Sequence, residues 1–438
     1  MIYCDLTDVI DFARYHTYVS GIQRVVCNLG SGLQEGTKVS FFYFNQSVKK
    51  YFTIDGVEFD VNGSIINFNR LNGIWQIGKL KWSYTRNEYR SRRGIHKIKP
   101  IVRYIKSRII RPFMGKKHKV ASMILNELDS ASIGAEDVIL IPHVIQYPKF
   151  YERLLSSCKD AKIVFFVHDI IPAVTPEFCV EQEVKNFIDY LKIIYKHADL
   201  ILTSAVYNIA DLKCYANEHF GRSFKCPIES IPLPADLSCS SRSVVPLHEI
   251  SPIARRLSHY SYCLVVGSVG LRKNHIEMLF AWRKYYDSQN YNNQIMVIAG
   301  GQDDNNADVK DLLNSHFADG SVIYFRAPSD AELLYLYQHC KFTINISLYE
   351  GWGLPVSESI ALGKPVIVSN DTTLPEAGYG LAEVVPARDL RSLVESINRM
   401  FNNKEYYDAQ IKKIRTEQNK LPTWQDFTNS VVDAINRL

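Results

Sequence analysis

Two sets of six short runs rich in β-branched and aromatic residues punctuate the chain, and longer stretches with helical spacing separate most of them. No other feature constrains the fold as much. A strand parallel to its predecessor needs a crossover of a dozen or more residues, usually a helix, so this alternation predicts βαβ units and parallel sheets. The first set comprises residues 2–6, 39–44, 138–142, 162–167, 199–203 and 227–231; the second comprises 262–267, 294–300, 321–325, 342–346, 365–369 and 381–385. Between them, from about Pro232 to Ser261, prolines, serines and polar residues interrupt any period, which marks a linker. The expected architecture is α/β: two doubly wound, Rossmann-like domains, residues 1–245 and 255–420, with the C-terminal ends of both sets of strands at a shared cleft. The last segment, 421–438, puts Trp424, Phe427, Val431, Ile435 and Leu438 at helical spacing and predicts a packing helix.

The segment FTINISLYEGWGLPVSESIALGKPVIVSN begins as a buried strand, passes through Gly351 and Gly353, and after Leu354 restarts as a helix at Pro355. Proline is favoured in a first helical turn, and the paired glycines permit a sharp turn and close approach of the backbone to a ligand. The helix start offers free amides and a partial positive charge, which suits a phosphate. Glu350 and Glu358 flank that anion site. Carboxylates repel a diphosphate but accept hydrogen bonds from sugar hydroxyls, so the pairing suits a ligand with phosphates in its middle and polyols at both ends.

That string resembles the E-x7-E motif of retaining glycosyltransferases of family 4, with Trp352 in the aromatic position and SESIALGKPVIVSN matching after it. TTLPEAGYG (372–380), LVVGSVGLRKNHIEMLFAW (264–282) and APSDAELLYLYQHC (327–340) are similar to three further motifs of the family, in the same order. The resemblance implies the GT-B fold, two Rossmann-like domains facing a central cleft, with the nucleotide sugar on the C-terminal one. It implies that Glu358 binds the ribose, Glu350 the transferred sugar and Lys273 the diphosphate, with Arg272 assisting. Ser268 stands where many relatives carry arginine, and Asp330 lies where relatives hold the nucleobase.

In the first half, VFFVHDIIPAVTPEF (164–178) is similar to a stretch of the same family in which the histidine lies beside the donor sugar, which nominates His168 and Asp169. DLTDVIDFARYHTYVSGIQRVVCNL resembles the openings of bacterial mannosyl- and rhamnosyltransferases of surface polysaccharide (O-antigen) synthesis. Ser20, a candidate helix cap, with Gly21 and Arg24, is thereby a phosphate-side or acceptor-side candidate; Arg14 and His16 follow.

Charge adds one further feature. The net charge of +5 conceals a segment, 79–119, that holds 15 of the 51 Lys and Arg but a single acid, Glu88. Within KPIVRYIKSRIIRPF, Ile101, Tyr104, Ile105 and Ile109 share a helical face while Arg103, Lys106 and Arg111 lie off it. A basic amphipathic helix suits an anionic membrane surface or lipid-linked acceptor, and no recognition fold for nucleic acid accompanies it. The alternative is a solvated insertion. No run approaches about 18 uninterrupted apolar residues, and the acidic start MIYCDLTDVIDF is unlike a secretion signal. Nine scattered cysteines without a CxxC pair argue for a reducing cytosol and against a zinc site.

The expected activity is metal-independent, retaining transfer of a hexose, mannose or rhamnose, to a glycan or lipid-linked saccharide, with the nucleoside-diphosphate sugar as co-substrate and no cofactor. A two-carboxylate glycosidase would leave the cationic site unused. A phosphorylase or a sugar-nucleotide-modifying enzyme on a similar scaffold, and a catalytically silent binder of sugar nucleotide or polysaccharide, are the rival readings.

Overall fold

The computed structural model describes residues 1–13, 21–55, 57, 59, 125–234, 246–289, 293–301, 307–316 and 319–438. The chain opens with β1 (Ile2–Asp5), α1 (Thr7–Phe12), α2 (Gly21–Gly36), β2 (Val39–Asn45), β3 (Lys50–Ile54), β4 (Leu125–Glu127) and β5 (Val138–Ile141). It continues through α3 (Pro148–Ser157), β6 (Lys162–Val167), α4 (Ile171–Val174), α5 (Glu181–His197), β7 (Leu200–Thr203), α6 (Val206–Phe220) and β8 (Ile228–Ser230). The second half holds α7 (Pro252–Leu257), β9 (Ser261–Val266), α8 (His275–Asp287), β10 (Gln294–Gly300), α9 (Ala307–His316), β11 (Val322–Arg326), α10 (Asp330–His339) and β12 (Phe342–Asn345). It ends with α11 (Leu354–Ala361), β13 (Val366–Ser369), α12 (Leu374–Ala377), β14 (Glu383–Val385), α13 (Leu390–Asn402), α14 (Lys404–Glu417) and α15 (Trp424–Asn436).

Each of the twelve runs read from the sequence carries a strand, and they form two sheets. The first has the order β4-β3-β2-β1-β5-β6-β7-β8, the second β11-β10-β9-β12-β13-β14. Every pairing in the second sheet is parallel, and its strands are near-continuous apolar runs because helices cover both faces. In each sheet the chain reverses its direction of winding beside one strand: β1 sits between β2 and β5, and β9 between β10 and β12. Crevices at such points are where open α/β sheets bind ligands.

Three expectations need correction. β3 and β4 extend the first sheet, pairing antiparallel with β2 and with each other. Both are short, and β3 is mostly half-buried, so neither shows the apolar run that marks a parallel strand. The linker read from 232 to 261 contains α7, started by Pro252 and by the Ser251 side chain, which accepts from the Ala254 amide at 3.3 Å. In the terminal helix, Leu438 lies past the end and is exposed, whereas Phe427, Val431 and Ile435 are buried as expected.

That helix, α15, begins with a capping box in which the Thr423 hydroxyl accepts from the Asp426 amide and the Asp426 carboxylate from the Thr423 amide. It crosses back to α2. A Cβ added at Gly32 would lie 2.3 Å from the Thr428 hydroxyl oxygen, so glycine is what lets the helices touch. One apolar cluster joins Val26 and Leu29 of α2, Phe427 and Val431 of α15, and Val356 and Ile360 of α11. The two sheets therefore share a core, and the chain segments after β6, β7 and β12 meet above it.

Candidate active site

The loop after β12 is locked to its own sheet before any ligand is considered. After β12, the Asn345 side chain accepts from the Ser347 hydroxyl at 2.8 Å and starts the turn. Leu348 donates its amide to the Arg272 carbonyl at 2.8 Å, joining this loop to the one after β9. Lys273 then ion-pairs with one Glu350 oxygen, and Arg272 reaches the other at 3.1 Å and the Tyr349 carbonyl at 2.6 Å. Glu350 is only 7% exposed. Burial alone would raise its carboxyl, but the Lys273 ammonium and the Arg272 guanidinium outweigh it and hold it down at about 2. Gly353 takes a left-handed φ of 104° as the residue before α11, and Leu354 and Pro355 form the helix start.

Glu358, 5% exposed on α11, is held differently. Its Oε2 accepts from the Tyr337 hydroxyl of α10 at 2.8 Å, and its Oε1 is ion-paired with Arg24 of α2, from the first sheet. Burial would lower the Arg24 pKa; the Glu358 carboxylate outweighs it, and Asp330, the first residue of α10, adds to that field. Gly21 opens α2 against the opposite wall: a Cβ there would sit 3.4 Å from Leu354 Cδ1. Ser268 is exposed on the turn after β9.

The facing wall carries His168 and Asp169 directly after β6. His168 Nε2–H donates to the Pro142 carbonyl at 2.9 Å, a tautomer fixed by the acceptor, and burial lowers the ring to about 4. It is neutral at pH 7, with Nδ1 left as a lone pair. Burial raises the Asp169 carboxyl despite the Ile171 amide that donates to it at 3.0 Å and the nearby Arg272 charge. Gly351 does approach something closely, but that partner is protein: a Cβ there would lie 2.6 Å from the His168 carbonyl oxygen and 2.8 Å from Asp169 Cβ. The close approach expected toward a ligand serves to seat the loop after β12 on the opposite wall.

The structure thus gathers Glu350, Gly351, Lys273, Arg272, His168 and Asp169 at one point, and Glu358, Arg24, Asp330, Gly21 and Leu354 beside it. Ser20, Arg14, His16 and the basic segment 79–119 lie outside the described residues. Several residues at these strand ends escaped the sequence reading. Tyr337 lies inside the motif APSDAELLYLYQHC, yet nothing in its helical spacing marks it as a partner of Glu358. Asp5, the last residue of β1, and His143, just after β5, form a buried pair at 3.2 Å, with Thr7 and Tyr151 also bonded to Asp5. Burial would lower the His143 ring, but the Asp5 charge raises it to about 9. The two partners stand 138 positions apart, beyond the reach of any local pattern.

This arrangement presents fixed cations at the end of a strand and beside a helix start, with carboxylates already neutralised around them. Such a site stabilises an anionic leaving group and leaves oxygen acceptors for hydroxyls. Among the described residues no group of three or more His, Cys, Asp or Glu is placed to hold a metal ion. No helix among them is long and apolar enough to cross a membrane.

Residues 249–417 match the family described as Glycosyl transferases group 1. The chain is 24% identical over 300 residues to O-antigen chain mannosyltransferase B of Escherichia coli, covering 68% of this chain and 74% of that one. It is 27% identical over 209 residues to the serotype-specific mannosyltransferase WbdA of the same species, a match spanning 47% of this chain but only 25% of that longer protein. Among solved structures, the Escherichia coli trehalose-6-phosphate enzyme bound with UDP-2-fluoro glucose superposes with a TM-score of 0.62 at 12% identity, covering 100% of this chain and 99% of that one. Sucrose-phosphate synthase of Thermosynechococcus elongatus does so with a TM-score of 0.59 at 16% identity, covering 100% and 98%. Anabaena Alr3699/HepE in complex with UDP and glucose gives a TM-score of 0.58 at 10% identity, covering 100% and 99%. The chain has the GT-B fold, its residues 249–417 match the glycosyl transferases group 1 family, and it resembles the O-antigen mannosyltransferases of Escherichia coli.

Proposed function

We propose that the protein transfers a mannosyl group, with retention, from a nucleoside-diphosphate sugar to a saccharide or lipid-linked saccharide in surface polysaccharide synthesis. The observation that carries this reading is the buried Glu350 clasped by Lys273 and Arg272 where the segments after β9, β12 and β6 converge. The names of the similar mannosyltransferases supply the sugar. In this reading the donor lies along the second sheet, its ribose on Glu358, its diphosphate on Lys273, Arg272 and the start of α11, and its sugar between Glu350 and His168. The neutral His168 offers Nδ1 as an acceptor to a sugar hydroxyl. As the bond from the sugar to the diphosphate breaks, charge grows on the phosphate oxygen, and the two fixed cations stabilise it without reorganising. The departing oxygen takes the acceptor's proton from the same face, so no side chain is assigned as general base and no metal is required.

The acceptor approaches along the first sheet, past Gly21 and Arg24, and the basic segment 79–119 binds the anionic inner face of the cytoplasmic membrane or a lipid diphosphate. The test is to incubate the pure protein with a panel of nucleotide sugars, GDP-mannose first, with and without lipid-linked mannosyl acceptors, and to follow nucleotide release. Acceptor-dependent release from GDP-mannose supports the reading; release from a different donor corrects the sugar; no release from any donor overturns it.

A further inference from the structure

Two buried polar side chains outside every motif discussed above sit between the walls. Ser204 ends the connection from β7 and Asn208 lies in the first turn of α6; they are 1% and 2% exposed. The Ser204 hydroxyl donates to the Gly351 carbonyl at 2.7 Å. Asn208 Nδ2 donates to that same carbonyl at 2.8 Å and to the His168 carbonyl at 3.1 Å. One amide nitrogen therefore brackets the backbone of the donor loop and the backbone of the opposing histidine. Two buried carbonyls side by side, without a shared donor, would repel each other and lose their hydrogen bonds. The Ser204 hydroxyl also lies 3.4 Å from the His168 carbonyl, and the Asn208 oxygen has no hydrogen-bond partner.

The same end of α6 receives two further contacts from the second half of the chain. The Glu376 carboxylate accepts from the Val206 and Tyr207 amides at 2.8 and 2.9 Å, an acid on a helix N-terminus supplied by the other sheet. The Tyr349 hydroxyl, one residue before Glu350, bonds to Asp211. The donor loop is thus docked on the first two turns of α6 by Tyr349, Gly351 and Glu376, and the Ser204–Asn208 pair lies at the centre of that footprint.

We infer that Ser204 and Asn208 are positioning residues that hold the Glu350–Gly351 loop in register with His168, so that the two walls present one geometry to the donor sugar. The inference rests on the proposed glycosyl transfer, yet it predicts a structural readout independent of turnover. Neither residue bonds to Glu358 or Tyr337, on which the proposed ribose site is built.

The experiment uses the full chain and three variants: Ser204→Ala, Asn208→Asp, which keeps the shape but replaces the donor with a carboxylate facing carbonyls, and Ser204→Thr, which keeps the hydroxyl. Amide hydrogen exchange over residues 347–355 reads the loop, calorimetric titration with the nucleoside diphosphate reads the anchor, and turnover is measured with the productive donor. S204A and N208D are expected to speed exchange in 347–355 at least tenfold while the β9 and β12 strands stay protected. Nucleoside-diphosphate affinity stays within about threefold, and kcat falls about a hundredfold, the scale of an ångström of misplacement; S204T restores both exchange and kcat. Unchanged exchange in 347–355 overturns the inference, as does a kcat loss matched by an equal loss of nucleotide affinity or by exposure of the strands. If the wild type turns over no donor, the proposed function fails, while the exchange data still decide the docking of the loop.

Discussion

The two carboxylates of the donor motif lie eight residues apart and are both buried, but their counter-charges come from different parts of the chain. Glu350 is neutralised by Lys273 and Arg272, two adjacent residues of its own sheet. Glu358 has one cation, Arg24, brought from the first sheet across the cleft. The counter-charges of Glu350 are thus assembled within one half of the chain, whereas that of Glu358 depends on how the two walls meet.

The largest effect expected is on turnover at the preassembled end. Lys273→Ala removes a fixed charge from where the leaving group develops its own, and kcat should fall by about a hundred- to a thousandfold in the nucleotide-release assay. A fall below tenfold would mean that Arg272 and α11 suffice. Stability separates the two ends next. Arg24→Ala leaves Glu358 buried with no cation, at a cost of about 1–3 kcal/mol in denaturant unfolding, less than for a fully buried pair because Arg24 is a quarter exposed. Arg272→Ala should cost less, since Lys273 still covers Glu350. Equal losses from both would erase the distinction.

Titration sharpens it further. Glu350 has its carboxyl held at about 2 against an ordinary 4.5, so its contribution is complete above pH 4.5 and is lost as pH falls toward 2. His143, on the other sheet, is raised from 6.5 to about 9, so its contribution is complete below pH 6.5 and is lost as pH rises through 9. The stability difference between wild type and Glu350→Gln should therefore shrink in acid, and that between wild type and His143→Gln should shrink in alkali. The smallest effect is expected at the tether: Gly32→Ala forces α15 away from α2 and should cost about 1 kcal/mol of stability, with nucleotide binding to the second sheet unchanged.

The same contrast explains what could be read from the sequence. The second sheet was legible because its strands are near-continuous apolar runs and its candidate site residues lie in contiguous motifs: Lys273 with Arg272, and Glu350 with Gly351, Gly353 and Glu358. The first sheet was legible only in its parallel strands. β3 and β4 have few residues and half-exposed faces, so alternation had nothing to mark. The wall it contributes is assembled from α2, from the segment after β6 and from the start of α6, and its pairings with the second half span 147 positions for Ser204 and Gly351 and 334 for Arg24 and Glu358. Spacing along a chain carries no record of such contacts. Gly351 shows the limit plainly: the sequence marks a position that must lack a Cβ, and only the structure says that the His168 carbonyl is the reason.

Calorimetric titration of the nucleoside diphosphate of the productive donor into wild type and Glu358→Ala tests the central claim, that these buried carboxylates form a nucleotide-sugar site, most directly. The alanine variant is expected to bind about tenfold more weakly, through the loss of hydrogen bonds from the ribose to a charged acceptor. Equal affinity in the two proteins would contradict it.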